Sequence, residues 1–458
     1  MKFYGRENEL AALKSELLQI KSRSRLGVVT GRRRIGKTTL LLKAAEESGL
    51  PTLYFFVQRK YSEAELAHAC LDQVRELFHL TEDEGPARLK LSAVIRFIMK
   101  ITADRPTILI LDECQEIDRI QPAFWSELQE IWDTGKNTSH LALWMSGSVA
   151  AAIRHIFDDA SEPLFGRQDL SLTIRPFTPA LLTDIFRDHN PVGTPDDLLT
   201  LYAVTGGVAR YVETLADSTP LTRDDMLSFV FSSRGEFLRS DGATVLANEF
   251  RVESPLYYRL LQAVADGKTR WAELTDIADG KPIGPYLERL EKQYGLLKRT
   301  APLFSDSARG IRYHLADAYF RFWFRFVEPA GARALAERQN WALLKTLCLS
   351  SWDQFTGLAL EDWFRESYWA SGKWTDVGQW WDRKGENEID LIAVNSLSKT
   401  IEIAEIKRNP QKIRREILEL KAQAFLTANG KHLKNYRLNP VRGLSLADLF
   451  SSANPRPN

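Results

Sequence analysis

The run GRRRIGKTT, from Gly31 to Thr39, matches GxxxxGK[ST] and lies between an apolar strand-like run, LGVVT, and a helix-like run, TTLLLKAAEESG. That placement suits a phosphate cradle. Glycines let backbone N–H groups turn inward onto phosphate oxygens, and a helix start adds partial positive charge. Gly31, Ile35, Gly36, Lys37, Thr38 and Thr39 form the candidate loop. Lys37 is expected to neutralise terminal phosphates and Thr38 to give its hydroxyl to Mg²⁺. Arg32, Arg33 and Arg34 are read as solvated, because such a cradle works mainly through backbone. Farther on, TILILDECQ ends an apolar run in Asp112 and Glu113. Two adjacent carboxylates at the end of a buried strand call for a cation or water network to match them. Asp112 is expected in the magnesium shell, and Glu113 beside it to polarise an attacking water. LALWMSGS offers Ser146 as a γ-phosphate sensor at a strand's carboxyl end. Arg167, in PLFGRQ, has two readings: an arginine finger, in cis or from a neighbour, or a surface ion pair.

A second constellation lies in residues 388–407, EIDLIAVNSLSKTIEIAEIK. Side chains alternate along a strand, so Glu405 and Lys407 share a face with Ile401 and Ile403. If SLSK is a hairpin loop, Asn395 pairs with Thr400 and Asp390 falls opposite Glu405. Facing like charges destabilise a sheet, so something positive belongs between them. A divalent cation fits, with Lys407 near enough to activate water or steady phosphate charge. Between Lys399 and Arg437 ten Lys or Arg face four Glu. This excess suits phosphate contact and equally a solvated helix face.

The elements that must position these residues are legible in outline. Strand and helix patterns alternate through the first 175 residues, as in a parallel sheet covered on both faces. From Pro176 to about Ser254 the spacing turns helical, in TPALLTDIF and DDLLTLYAV. LYYRLLQAVADG, RWAELTDIADG and GPYLERLEKQYGLL then read as three short helices. LLKRTAPLF, SDSARG and IRYHLAD read as a hairpin, so the segment suggests a winged helix. Its third helix would enter a major groove, with Arg289, Lys292, Lys298 and Arg299 on phosphates, or the module would pack on the nucleotide domain and sense its state. From about 333 the chain is Trp-rich and mixes helix with strand. The tail SSANPRPN reads as a frayed end. With 458 residues, about three domains are expected. Sixty-one Lys and Arg against sixty Asp and Glu leave a charge of +1, so no global field favours nucleic acid or membrane. Three scattered cysteines, the lack of an apolar leader and the lack of a membrane-length apolar run fit a cytoplasmic protein.

Together FYGRENEL, GRRRIGKTT, ILILDECQE, WMSGS, PLFGR and TGGVARYVETL resemble the archaeal-type ATPase family, related to AAA+ and STAND proteins. The resemblance implies ATP and Mg²⁺ as ligands, Arg6 near the nucleotide base, and a lid containing Gly206 and Gly207, after which this chain has Val208 and Ala209 where the family commonly has Pro. It also implies a C-terminal extension: a winged helix followed by a restriction-endonuclease-like domain of the PD-(D/E)XK type. Asp390, Glu405, Ile406 and Lys407 fall on that motif. Glu361 would be the helix carboxylate completing its metal site, with Asp362 as competitor. The expected architecture is therefore α/β: a P-loop core over 1–175, a helical lid over 176–254, a winged helix over 255–332 and a nuclease-like domain over 333–458. The expected function is an ATP-hydrolysing switch controlling a Mg²⁺-dependent DNA nuclease. The alternative is a regulatory ATPase whose winged helix and silent C-terminal domain bind DNA, a protein partner or a second copy of the chain.

Overall fold

The computed structural model describes residues 1–58, 60–148, 150–248, 254–305 and 310–453. The last part of the expected frayed tail and most of the expected hairpin turn SDSARG lie outside them. The chain divides into two compact units, residues 5–175 and residues 1–4 with 176 onward.

The first unit is built on five parallel strands: β1 (Arg25–Thr30), β2 (Thr52–Phe56), β3 (Thr107–Asp112), β4 (Leu141–Gly147) and β5 (Leu170–Thr173), in the order β2-β3-β4-β1-β5. Every residue of β3 and β4 is buried, which is why their sequences are apolar without alternation. Strand β1 lies between β4 and β5, pairing Gly27 with Trp144 and with Leu170. Helices Glu63–Phe78, Leu91–Ile101 and Phe124–Gly135 cover the sheet through a core that includes Phe55, Val74, Ile95, Leu111, Trp132 and Met145. This α/β frame brings the carboxyl ends of β1, β3 and β4 to one edge, where open parallel sheets take their ligands.

The second unit begins with helices whose starts are written in the sequence. Thr178-Pro179 and Thr194-Pro195 each put an N-cap hydroxyl before a proline in the first turn; Thr178 accepts from the Leu181 N–H and Thr194 from that of Asp197. The helix Pro195–Thr205 is buried on all sides from Asp197 onward. Short helices Pro255–Ala265, Trp271–Thr275 and Gly284–Glu288 follow, then an antiparallel hairpin of β6 (Leu297–Thr300) and β7 (Arg312–Leu315). The third helix is shorter than GPYLERLEKQYGLL predicts, because its α-turns widen into a π-helical stretch at Arg289–Gln293.

The C-terminal part is a second five-stranded sheet: β8 (Asp376–Trp381), β9 (Glu388–Asn395), β10 (Thr400–Lys407), β11 (Arg437–Leu438) and β12 (Arg442–Ser445). Strand β9 is antiparallel to β8 and β10, whereas β11 and β12 run parallel to β10. Ile392, Val394, Ile401 and Ile403 pack with Leu418 and Phe425 of the helix Arg415–Ala428. Glu402, with the opposite alternation, accepts from the Tyr368 hydroxyl of the helix Trp352–Ala370. The sheet is thus covered on both faces. No described helix is long and apolar enough to cross a membrane, and Cys70, Cys114 and Cys348 are buried free thiols.

Candidate functional site

At the end of β1 the chain turns through Gly31 (φ 150°), Arg34 (φ 68°) and Gly36 (φ 97°) before the helix Lys37–Ser48. A Cβ on Gly31 would lie 2.6 Å from the Ile174 carbonyl oxygen, so this close approach excludes any larger residue. Ile35 is fully buried, which anchors the loop, while Thr39 points outward as an exposed residue of the first helical turn. The Lys37 ammonium sits over the loop, donating to the carbonyls of Gly31 at 2.9 Å and Arg32 at 3.2 Å.

Asp112, only 3% exposed at the end of β3, is the hub of the site. Its Oδ2 accepts from Thr38 Oγ1 at 2.6 Å and from the Tyr54 hydroxyl at 2.8 Å. Its Oδ1 accepts from the Glu113 N–H at 3.0 Å and from the Ser146 hydroxyl. Glu113 takes a left-handed conformation (φ 55°), turning its side chain away from the strand line. There Glu113 Oε2 accepts from Ser148 Oγ at 2.9 Å and Gln115 Nε2 at 2.5 Å. One carboxylate is knotted to the loop threonine and the next is held separately by two neutral donors. This division suits a cation ligand beside a base, and the hard oxygens of Thr38 and Asp112 fit Mg²⁺. The hydroxyl of Ser146, the candidate phosphate sensor, donates to Asp112, because β4 is the next strand in the sheet.

The second constellation is gathered in the C-terminal sheet. Asn395 pairs with Thr400 and the ladder runs to Leu391 opposite Ala404, one residue short of Asp390 and Glu405. Asp390 Oδ2 accepts from the Ile406 N–H at 2.8 Å and the Lys407 ammonium at 2.9 Å. Lys407 lies 3.9 Å from Glu405, and Lys421 donates to Glu405 at 3.4 Å. Against its burial, Asp390, Glu405 and Glu361 raise the Lys407 pKa. The positive charge expected between these carboxylates is therefore supplied by lysines. Among the described residues no group of three or more His, Cys, Asp or Glu is arranged to hold a metal.

Glu361 and Asp362 point to different surroundings. Burial pushes Glu361 up to about 7 against the pull of Arg365, with Asp390 adding to the rise. Arg365 joins this cluster together: it donates to Glu361 at 3.3 Å, Gln379 at 3.2 Å, the Asp390 carbonyl at 2.9 Å and Asp362 at 3.0 Å. Asp362 instead meets Arg321 and, at 3.3 Å, Lys298. Burial opposes its charge, but Lys298, Arg321 and Arg365 together hold it well below the usual carboxylate range. Asp362 is thus part of a buried ion network, and Glu361 is the helix carboxylate near Asp390.

Residues 3–215 match the model of a family described as an ATPase domain predominantly from Archaea. This segment is similar to that family. Residues 323–417 match a family described as archaeal and bacterial proteins of unknown function. A Walker-type ATPase of Pyrococcus abyssi superposes with a TM-score of 0.53 at 20% identity, over 70% of this chain and 96% of that one. The ORC2 protein of Aeropyrum pernix, solved in ADPNP–ADP complexes, gives 0.50 at 14% identity over 73% and 96%. An uncharacterized protein of Methanocaldococcus jannaschii is 26% identical over 435 residues, 91% of each chain.

Within the matched segment, Arg6 starts the helix Glu7–Gln19 in a left-handed conformation and donates to the Arg175 carbonyl at 2.6 Å and to Glu9 at 3.3 Å. Arg167 forks onto Asp133, with its closest N–O distance 2.8 Å, and donates to the Pro163 carbonyl at 2.7 Å. The geometry at Arg167 is that of the ion-pair reading. Reasoning from sequence missed Tyr54, Gln115 and Arg365. Gln115 lies within CQE beside Glu113, and Arg365 stands one helical turn after Glu361, a spacing that pairs opposite charges. Tyr54 has no such local signal, because it reaches Asp112 across strands. In the segment 255–332 the four basic side chains expected on phosphates are engaged within the chain: Lys292 with Glu288 at 2.8 Å, Lys298 with Asp362, Arg299 with Glu291 at 2.7 Å, and Arg289 with the Tyr257 hydroxyl at 3.4 Å.

Proposed function

We propose that the protein is an ATP-hydrolysing switch. The observation that carries this reading is the Thr38–Asp112 contact at the mouth of a left-handed glycine loop, with Glu113 held apart as a separate carboxylate. When bound there, Mg²⁺ would supply charge neutralisation to the β- and γ-phosphates. Thr38 and Asp112 hold that ion's side of the site, Lys37 balances phosphate charge, and Glu113 accepts a proton from the attacking water. Ser148 and Gln115 orient Glu113 for this task. Replacing Lys37 by Ala removes the cation that the GxxxxGK[ST] pattern places at the terminal phosphates. Its nucleotide affinity, followed with a fluorescent ATP analogue, is expected to fall by about 10- to 100-fold, the weight of contacts to a charged group. Undiminished affinity would refute the cradle assignment.

A second reading concerns the C-terminal sheet and follows from the meeting of Asp390, Glu405, Glu361 and Lys407 in one cluster. This set supports a Mg²⁺-dependent DNA nuclease under the control of the nucleotide domain, with Asp390 and Glu405 as metal ligands and Lys407 beside the scissile phosphate. The lysine compensation of both carboxylates supports the competing view, a catalytically silent domain in a regulatory ATPase. The pairing of Arg289, Lys292, Lys298 and Arg299 within the chain favours a module that packs within the protein over one that reads a DNA groove. Nicking of supercoiled plasmid in Mg²⁺ or Mn²⁺ separates the two. Nuclease action predicts cleavage by the wild type and at least a hundredfold less by Asp390→Ala and Lys407→Ala, about the contribution of a positioned catalytic group. Equal cleavage by all three would mean another site or a contaminant, and none would leave the silent domain.

A further inference from the structure

Four donors converge on Asp112, and one of them, the Tyr54 phenol, belongs to none of the motifs that mark the site in the sequence. Strand β2 pairs Tyr54 with Ile110 and Phe56 with Asp112, so Tyr54 shares Asp112's face of the sheet two residues earlier along the strand. The half-buried phenol bridges that distance and donates to Asp112 Oδ2 at 2.8 Å, the oxygen that accepts from Thr38 at 2.6 Å. With Ser146 and the Glu113 N–H on Oδ1, each carboxylate oxygen then carries two donors, and the plane of the group is fixed.

We infer that Tyr54 is a positioning residue for the magnesium side of the nucleotide site, setting the orientation in which Asp112 and Thr38 face a cation together. The inference rests on the ATP-binding reading above. It concerns the cation and not the nucleotide's grip on the loop. The phosphate-binding N–H groups and Lys37 stay in place when the phenol is removed, whereas Asp112 Oδ2 loses one of its two donors and gains freedom to rotate away from Thr38.

Tyr54→Phe deletes the hydroxyl and keeps the ring, so the packing of β2 is retained. Binding of a fluorescent ADP analogue is measured in EDTA and across a Mg²⁺ titration, for wild type and variant. The Mg²⁺ concentration giving half-maximal enhancement is expected to rise about tenfold in Tyr54→Phe, the weight of one hydrogen bond to an ionised carboxylate. Affinity in EDTA is expected to stay within about twofold, a separation that general loosening of the fold does not produce. An unchanged Mg²⁺ midpoint, or an equal loss of affinity with and without the ion, would overturn the role of Tyr54 while leaving the nucleotide site standing. A wild type that binds no nucleotide under either condition would overturn the site itself, and the inference with it.

Discussion

Glu113→Gln is expected to lower ATP turnover by roughly two to four orders of magnitude, the usual contribution of a positioned general base, while nucleotide affinity stays within about twofold. The amide keeps the volume of the carboxylate and can still accept from Ser148 and Gln115, so the local fold survives. It cannot take up a proton from water. Asp112, whose carboxylate faces Thr38, is untouched by the change. Single-turnover hydrolysis together with equilibrium binding separates the two effects. A variant that hydrolyses at the wild-type rate would remove Glu113 from the mechanism, and a parallel loss of binding would show that it supports the loop instead.

The second large effect concerns stability, and it lies in the buried network around Asp362. Asp362 is 6% exposed and Arg321 9%, and the same carboxylate also meets Arg365 and Lys298. Removing the carboxylate in Asp362→Ala leaves the Arg321 guanidinium in the interior without its carboxylate and takes one of several partners from Arg365. Breaking one side of a buried pair in this way costs about 3–5 kcal/mol. For a unit of this size that corresponds to a melting temperature lower by roughly 10 °C. Replacing Asp362 and Arg321 together by Leu and Met should recover much of the loss, since a well-packed apolar pair substitutes for a buried ion pair. Because the native carboxylate titrates well below its unfolded range, its contribution is complete at neutral pH and is lost as acid brings the pH down through the folded-state value. Calorimetry of the three proteins checks this. A loss below about 1 kcal/mol in Asp362→Ala would mean that the arginines find solvent or other partners.

What the sequence discloses about this molecule depends on how far apart the cooperating residues lie. β1, β3 and β4 are readable as long apolar runs because both of their faces are covered. β2 and β5 are harder to see: TLYFF ends in the exposed Phe56, and LSLT alternates over only four residues. The loop residues and Asp112 stand in motifs of fixed spacing, so the sequence alone names them as candidates. It does not name Tyr54, since only the parallel register of β2 on β3 carries that residue to Asp112. Ser146 lies between these two cases. Its position at a strand end was legible, but strand order decides what it faces, and adjacency of β4 to β3 gives it to Asp112. Lys421 stands in a basic stretch that reads as a solvated face, yet its alternation on the helix Arg415–Ala428 turns it toward Glu405. Asp362 and Glu361 are neighbours in sequence with opposite fates, decided by Arg321 and Lys298, which come from distant segments.

The position of β1 in the sheet also governs the order in which the protein can be made. Its two neighbours are β4 and β5, the last strands of that sheet to be synthesised. While the nascent chain grows past β2 and β3, the strand leading into the glycine loop has nothing to pair with, and non-local pairing of this kind is slow. The glycine loop therefore gains both neighbours of its strand only near the end of its unit's translation, and a chain truncated before Leu141 carries the motif on a strand that lacks both of them.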